Sequence, residues 1–360
     1  MSTPKFHTLQ VQDIRQETAD TVSVALAIPA NLQTDYAFTA GQYITFKHSI
    51  NGQELRRSYS ICSSPSDGEL RVAVKKVYQG LFSGFVNDAL KKGDALEVMT
   101  PMGQFTPTDI ASTKNYIGFA SGSGITPIMS IIKTVLQANS SNTFTLVYGN
   151  KNVASIIFKE EIEALKNTYV NRLQVVHILS REKMDVELNY GRIGKDKCEH
   201  LFAKLIDIKS IDEAFICGPE EMTLQVKDFL IGHGMDAQQV KFELFGTAAY
   251  YAGTKKEIPT DEKNLGPISK VSIKVDDRTF DIELAYNGEN ILDAALRNGA
   301  DLPFACKGGV CCTCRAKVTV GTVKMDVNYA LEQDEVENGF VLTCQAHPTS
   351  EHVVVDFDVR

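Results

Sequence analysis

Four cysteines near the end of the chain constrain its fold more than any other feature. Cys306, Cys311 and Cys314 are spaced C-x4-C-x2-C within the run Cys306-Lys307-Gly308-Gly309-Val310-Cys311-Cys312-Thr313-Cys314, and Cys344 follows as a distant fourth. This is the plant-type spacing for a 2Fe–2S cluster. Iron takes thiolates because they are soft, charged ligands. The glycines Gly308 and Gly309 let the loop fold tightly and turn backbone N–H groups toward the sulfurs. Structural zinc is the rival reading, and it calls for two short-spaced pairs, where this chain has one pair-like run and a single cysteine. Disulfides call for an oxidising compartment. Cys312 breaks the four-residue gap and reads as a small non-ligand. Cys62 and Cys198 read as ordinary buried thiols.

The 360 residues suffice for two or three domains. A hydrophobic share of 43% with 23% charged residues is that of a soluble globular protein. The segment from Met1 to Gln16 is polar and mixed in charge, unlike a signal peptide. No apolar run approaches the roughly 18 residues of a membrane helix. The expectation is a cytoplasmic protein with no membrane contact. The net charge of −8 argues against nucleic-acid binding. Residues 268–360 hold 15 acidic and 9 basic side chains, so −6 of that charge lies on the cysteine-bearing segment. An acidic electron carrier would be steered toward a basic partner surface. Charge kept only for solubility explains the same numbers.

The chain upstream changes character twice. From Phe6 to Phe105 short alternating runs, such as Thr21–Leu26, Tyr43–Phe46 and Leu70–Val74, are separated by turn signals Asn51-Gly52 and Asp67-Gly68. They predict a small antiparallel barrel, with one helix near Phe82–Leu90. Within it lies Arg57-Ser58-Tyr59-Ser60. A guanidinium suits a pyrophosphate, a phenol ring suits an isoalloxazine, and a hydroxyl can reach the flavin's redox edge. Gly80-Leu81-Phe82-Ser83 opens the predicted helix and offers a phosphate site at its N-terminus. From Lys114 to Phe245 strands alternate with helices, predicted at Ser155–Lys166, Asp196–Leu205 and Glu220–Gly232, as in a doubly wound parallel sheet. The first strand ends in Ser121-Gly122-Ser123-Gly124-Ile125-Thr126-Pro127, a G-x-G-x-x-P turn that lets a pyrophosphate approach the backbone. The fourth ends in Cys217-Gly218-Pro219, at the carboxyl edge where such folds bind ligands. Each feature taken singly also fits a plain strand end or turn.

With R-x-Y-S, G-x-x-S, G-x-G-x-x-P and C-G-P in that order, and the cysteine pattern after them, the chain resembles the ferredoxin–NADP reductase superfamily over nearly its whole length. The order flavin, nicotinamide, ferredoxin is similar to the reductase components of multicomponent oxygenases. Ile291–Leu296, Ala305–Cys314, and Asn328-Tyr329 through Ala346 look closest to the reductase subunits of phenylacetyl-CoA epoxidases. The resemblance implies a multidomain chain: an antiparallel β-barrel FAD domain at 1–108, an α/β doubly wound nicotinamide domain at 109–246, a linker at 247–267, and an α+β, β-grasp ferredoxin domain at 268–360.

It also implies roles. Arg57, Ser58, Tyr59, Ser60, Val74, Lys75 and Ser83 would contact FAD. Gly122, Gly124, Thr126, Pro127, Gly218 and Pro219 would hold the nicotinamide nucleotide. Ser60, Cys217 and Glu243 would form the site where the two meet, with Phe245 near the flavin. Cys306, Cys311, Cys314 and Cys344 would hold the cluster. After the second strand, Gly149-Asn150-Lys151 lacks the carboxylate usual for NAD. After the third, Ser180-Arg181 resembles a 2′-phosphate clamp, so NADPH is expected over NADH. A solvated turn is the alternative reading of Ser180-Arg181. The implied path runs from NADPH through FAD and the 2Fe–2S cluster to oxygenase or epoxidase subunits. The alternatives are a reductase for another dioxygenase or diiron oxygenase, and a non-catalytic metal-binding module.

Overall fold

The computed structural model describes residues 5–245, 266–276 and 278–359. They fall into two compact units, one spanning Phe6–Phe245 and the other the residues from 266 on. Most of the expected linker, residues 246–265, lies outside the described residues.

The first unit begins as a barrel. Its strands are β1 (Phe6–Thr18), β2 (Thr21–Ala27), β3 (Tyr43–Ile50), β4 (Gln53–Ser60), β5 (Leu70–Lys75) and β6 (Ala95–Met99), with helix α1 (Leu81–Asp88) between the last two. They pair antiparallel in the order β4-β3-β6-β1-β2-β5. An Ile61–Val72 bridge and a Cys62 N–H to Arg71 O bond join the two ends. Alternating residues such as Val22, Val24 and Leu26 fill the interior with Ile44, Phe46, Val72 and Val98.

The same unit continues as β7 (Asn115–Ser121), α2 (Ile125–Ala138), β8 (Thr143–Asn150), α3 (Lys159–Thr168), β9 (Leu173–Leu179), α4 (Lys195–Lys204), β10 (Glu213–Gly218), α5 (Glu220–Gly232) and β11 (Val240–Leu244). All strand pairings are parallel, in the order β11-β10-β7-β8-β9. The order reverses between β7 and β10, so the carboxyl ends of these two strands frame the crevice of the sheet. Central strands are apolar on both faces because helices cover both. Helices α2 and α3 pack in one core, and α4 and α5 in the other. α2 buries Ile125, Ile128, Met129, Ile132 and Val135 at helical spacing.

The helix expected over Ser155–Lys166 is divided. Asn152 caps a short 3-10 turn that ends at Ser155. Ile156, Ile157 and Phe158 then turn into the core, Phe158 with φ 59°, before α3 begins. Burial of three consecutive large side chains overrides the helical periodicity there.

The two lobes of this unit share packing and polar ties. Ala40, Cys62, Ala73 and Phe105 of the barrel region join the core beneath α2. Ser130 Oγ donates to Ser63 O at 2.6 Å, and Lys133 pairs with Asp67 at 2.8 Å. Glu213 accepts from the Thr108 N–H at 3.2 Å, which pins the connection between lobes.

The second unit contains β12 (Ile268–Val275), β13 (Arg278–Ala285), α6 (Ile291–Arg297), β14 (Arg315–Val320), β15 (Val323–Met325), α7 (Gln333–Glu337), β16 (Phe340–Leu342), β17 (Ala346–Pro348) and β18 (His352–Asp356). Its main sheet runs β13-β12-β18-β14-β16. β18 lies at the centre, parallel to β12 and antiparallel to β14. Asn290 caps α6 by accepting from the Asp293 N–H, which is why the helix starts at Ile291. Ile291, Leu292, Ala294 and Ala295 face the sheet. Among the described residues, no helix is long and apolar enough to cross a membrane.

Candidate functional site

At the switch point, parallel pairing sets Cys217 of β10 directly beside Glu243 of β11. The end of β4 brings in the third residue: Ser60 Oγ donates to Glu243 Oε2 at 3.2 Å, across 183 positions of sequence. Ser60 and Cys217 are both buried. Burial pushes the Glu243 carboxyl up to about 7, and the Ser60 bond opposes this only in part. Burial, together with the neighbouring Glu243, also raises the Cys217 thiol. The three residues expected at the meeting point of two cofactors therefore do meet. They form a water-poor corner with one carboxyl poised to hold or release a proton near neutrality.

The β7–α2 turn presses against the same corner. A Cβ on Gly124 would sit 2.0 Å from Cys217 O, so only glycine permits this approach. Gly122 and Ser121 face a cleft of about 810 Å3, which Pro219 also lines. Thr126 and Pro127 do not face it. Both are buried in the first turn of α2, and Thr126 Oγ1 donates to Ser123 O at 3.0 Å. Gly218 packs under Met222, where a Cβ would come within 2.6 Å of the Met222 methyl.

The cleft is mainly cationic. Lys75, Lys151, Arg192, Lys195 and Lys197 line it, with Asn150 and Ser180. Lys197 is engaged, its Nζ bonding the carbonyls of Glu187, Leu188 and Tyr190. Among the described residues no carboxylate pairs with Lys151, Arg192 or Lys195. Ser180 lines the cleft with its Oγ bonded to Asn150 O at 3.3 Å, whereas Arg181 is exposed and does not line it. Sequence reasoning missed Arg192 and Lys195. Their signal was the run Gly191-Arg192-Ile193-Gly194-Lys195, which opens α4 without a side-chain cap.

The barrel side carries the flavin candidates. Arg57 is half-buried; its Nη1 donates to Arg56 O at 2.7 Å, and among the described residues no carboxylate neutralises it. An unpaired, half-buried guanidinium fits a pyrophosphate. Tyr59 stacks on Phe82 at 5.8 Å between ring centroids and keeps part of its surface accessible; burial raises its phenol. Ser58 Oγ is paired with Thr45 Oγ1 at 2.9 Å. Lys75 reaches the cleft and lies 3.6 Å from Asp20. Val74 belongs to the barrel core. Ser83 Oγ is held locally, accepting from the Val77 N–H at 3.1 Å and donating to Gly80 O, so it shapes the turn before α1. Phe245 follows β11 and is 38% exposed. Arg57, the uncapped start of α1 and the accessible part of Tyr59 form a donor set that fits a flavin dinucleotide.

In the second unit the four thiols act on one another in two pairs, Cys306 with Cys311 and Cys314 with Cys344. The neighbouring Cys311 lowers Cys306, and the neighbouring Cys314 lowers Cys344; Cys311 and Cys314 are raised by their partners and by burial. Backbone N–H groups turn onto the sulfurs, with Gly308 N at 3.3 Å from Cys306 Sγ. Gly309, at φ 75°, packs so closely that a Cβ would lie 3.0 Å from the Val327 side chain. Thr343 Oγ1 donates to Cys314 O at 2.9 Å and ties the two ligand segments together. Among the described residues no three His, Cys, Asp or Glu side chains close on one ion position. Two thiol pairs suit a cluster of two irons. Cys312 Sγ points instead to Ala330 O at 3.3 Å.

Residues 8–106 match the oxidoreductase FAD-binding domain family, 119–228 the oxidoreductase NAD-binding domain family, and 273–349 the 2Fe-2S iron-sulfur cluster binding domain family. The chain is 44% identical to a subunit of the 1,2-phenylacetyl-CoA epoxidase of Escherichia coli K12, over 99% of this chain and 98% of that one. It is 31% identical to the ferredoxin reductase component of 3-ketosteroid-9-alpha-monooxygenase from Rhodococcus rhodochrous, over 97% of this chain and 96% of that one. Among solved structures, phthalate dioxygenase reductase shares the fold, with a TM-score of 0.58 at 22% identity over 98% of both chains.

Proposed function

We infer the role of this chain from one premise: it belongs to the family of oxygenase reductase components that carry FAD-binding, nicotinamide-binding and 2Fe–2S domains. It delivers electrons from a nicotinamide nucleotide to an oxygenase. When bound, the flavin and the cluster supply the conversion from a two-electron donor to a one-electron carrier. The finer reading is NADPH as donor and a phenylacetyl-CoA epoxidase as acceptor. The acceptor reading rests on the full-length likeness to the Escherichia coli epoxidase component. We place the chain in the cytoplasm.

The observation that carries the reading is the Ser60–Glu243 contact beside Cys217. It joins the edge of the flavin barrel to the switch point of the nicotinamide sheet. Arg57 and the start of α1 would bind the FAD pyrophosphate, and Tyr59 would flank its ring. The Ser121–Gly124 turn would bind the nucleotide pyrophosphate. Ser60 and Cys217 would orient the nicotinamide, because positioning dominates where cofactors carry the chemistry. Glu243 would hold a proton on its carboxyl group and release it as pH rises through about 7. Lys151, Arg192 and Lys195 would surround a 2′-phosphate, with Ser180 beside them on the cleft wall. Cys306, Cys311, Cys314 and Cys344 would hold the cluster.

The test is reconstitution with purified epoxidase subunits and phenylacetyl-CoA, comparing kcat/KM for NADPH and NADH. Product formation with a clear NADPH preference is expected. A clear NADH preference contradicts the donor reading. Failure with the epoxidase but turnover with another oxygenase contradicts the acceptor reading.

A further inference from the structure

The side-chain amide of Gln345 joins the two sequence-distant parts of the cysteine site. Its Nε2 donates to Lys307 O at 3.1 Å and to Cys344 Sγ at 3.6 Å. An amide nitrogen carries two hydrogens, so both bonds are made at once. The backbone of Gln345 is fixed as well, its N–H donating to Leu342 O and its carbonyl accepting from Asp326 N–H. Its Cγ lies against the Gly309 turn. The nearby Lys307 cation is balanced by Asp293 at 2.6 Å, so it contributes little net charge to the sulfurs. Gly308 N–H reaches the Cys306 sulfur from the backbone. Gln345 reaches a sulfur from a side chain, on the ligand that comes from the far end of the domain.

We propose that Gln345 is a positioning residue that raises the reduction potential of the 2Fe–2S cluster through its N–H···S bond to Cys344. This rests on the ligand assignment above. Reduction adds one electron and no proton, one ferric iron becoming ferrous. The electron comes from the reduced flavin, which is oxidised by one electron in return. The cluster and its four thiolates then become one unit more negative. A hydrogen-bond donor on a ligand sulfur favours the more negative form. Without it the cluster accepts the electron less readily.

The test is an anaerobic redox titration of the full-length, FAD- and cluster-loaded protein, followed by EPR of the reduced cluster. Gln345→Leu lowers the midpoint potential by about 59 mV, a tenfold weaker reduction of a one-electron centre. Gln345→Glu removes the donor and adds negative charge, so it lowers the potential further. Loaded variants at the unaltered potential would overturn the proposal and leave Gln345 only a structural tie to Lys307. A second measurement needs no variant. In protein carrying heavy-nitrogen label on glutamine side chains, pulsed EPR of the reduced cluster is expected to show a coupling to that nitrogen; its absence also overturns the proposal. A wild-type chain that takes up no 2Fe–2S cluster refutes the ligand assignment instead, so the two failures are distinct.

Discussion

In the cysteine unit, three of the four expected ligands fall within nine consecutive residues, and backbone N–H groups of the same loop turn onto their sulfurs. In the flavin–nicotinamide unit, Ser60, Cys217 and Glu243 come from three strands in two lobes, and the Ser60–Glu243 contact spans 183 positions. The first site is shaped by loop geometry; the second exists only once a barrel has closed and docked on a parallel sheet. Damage to a compact ligand set should be all-or-none. Damage to an assembled corner should be graded, since most of the packing in both lobes lies outside it.

The largest expected effect tests the all-or-none side. Cys306→Ser should remove the iron–sulfur visible absorption and bound iron, while Cys312→Ser leaves both intact because its thiol faces Ala330 O. Iron retained in full by Cys306→Ser would break the comparison. Gly124→Ala comes next. Its Cβ would overlap Cys217 O, so the turn must shift, at about 1–3 kcal/mol of overpacking. A lowered melting temperature together with weaker nucleotide binding is expected; an unchanged KM would show that the turn is not part of the site.

The graded side is sharpened by Arg192→Gln and Lys195→Gln. Each removes one cation from the cleft and should raise the KM for NADPH roughly tenfold, on the scale of a charge-assisted hydrogen bond, with NADH little affected. Arg181→Gln should do less, because Arg181 does not line the cleft. The smallest effect concerns protons. Burial holds Glu243 protonated up to about pH 7. Hydride transfer leaves a negatively charged reduced flavin, which an ionised Glu243 beside it would repel, so the rate of flavin reduction should fall as pH rises through that value. Stopped-flow measurements should find the profile flat in Glu243→Gln.

The comparison also explains what could be read from sequence. The 2Fe–2S domain was legible because the chemistry of the proposed ligands is written in their spacing. The strands framing the corner were legible from periodicity, and the C-G-P and G-x-G turns marked their ends. What escaped depends on which way a side chain turns. Ser83 and Thr126 have hydroxyls, yet both hydrogen bond locally. Arg181 and Arg192 are both arginines in loops, and only the second lines the cleft. The central strand β18 was hidden because its partners β12 and β14 lie far from it in the chain. Gln345 and Thr343 carry no signal of their own in the sequence; their contacts with the opposite ligand segment give them their place.

On the proposed path, electrons enter through the assembled corner and leave through the cysteine loop. Stopped-flow and steady-state assays of Cys344→Ser test this most directly. Bleaching of the flavin by NADPH should proceed at the wild-type rate, while reduction of cytochrome c or of the oxygenase is lost. A variant lacking the cluster that still exports electrons at the full rate would contradict it.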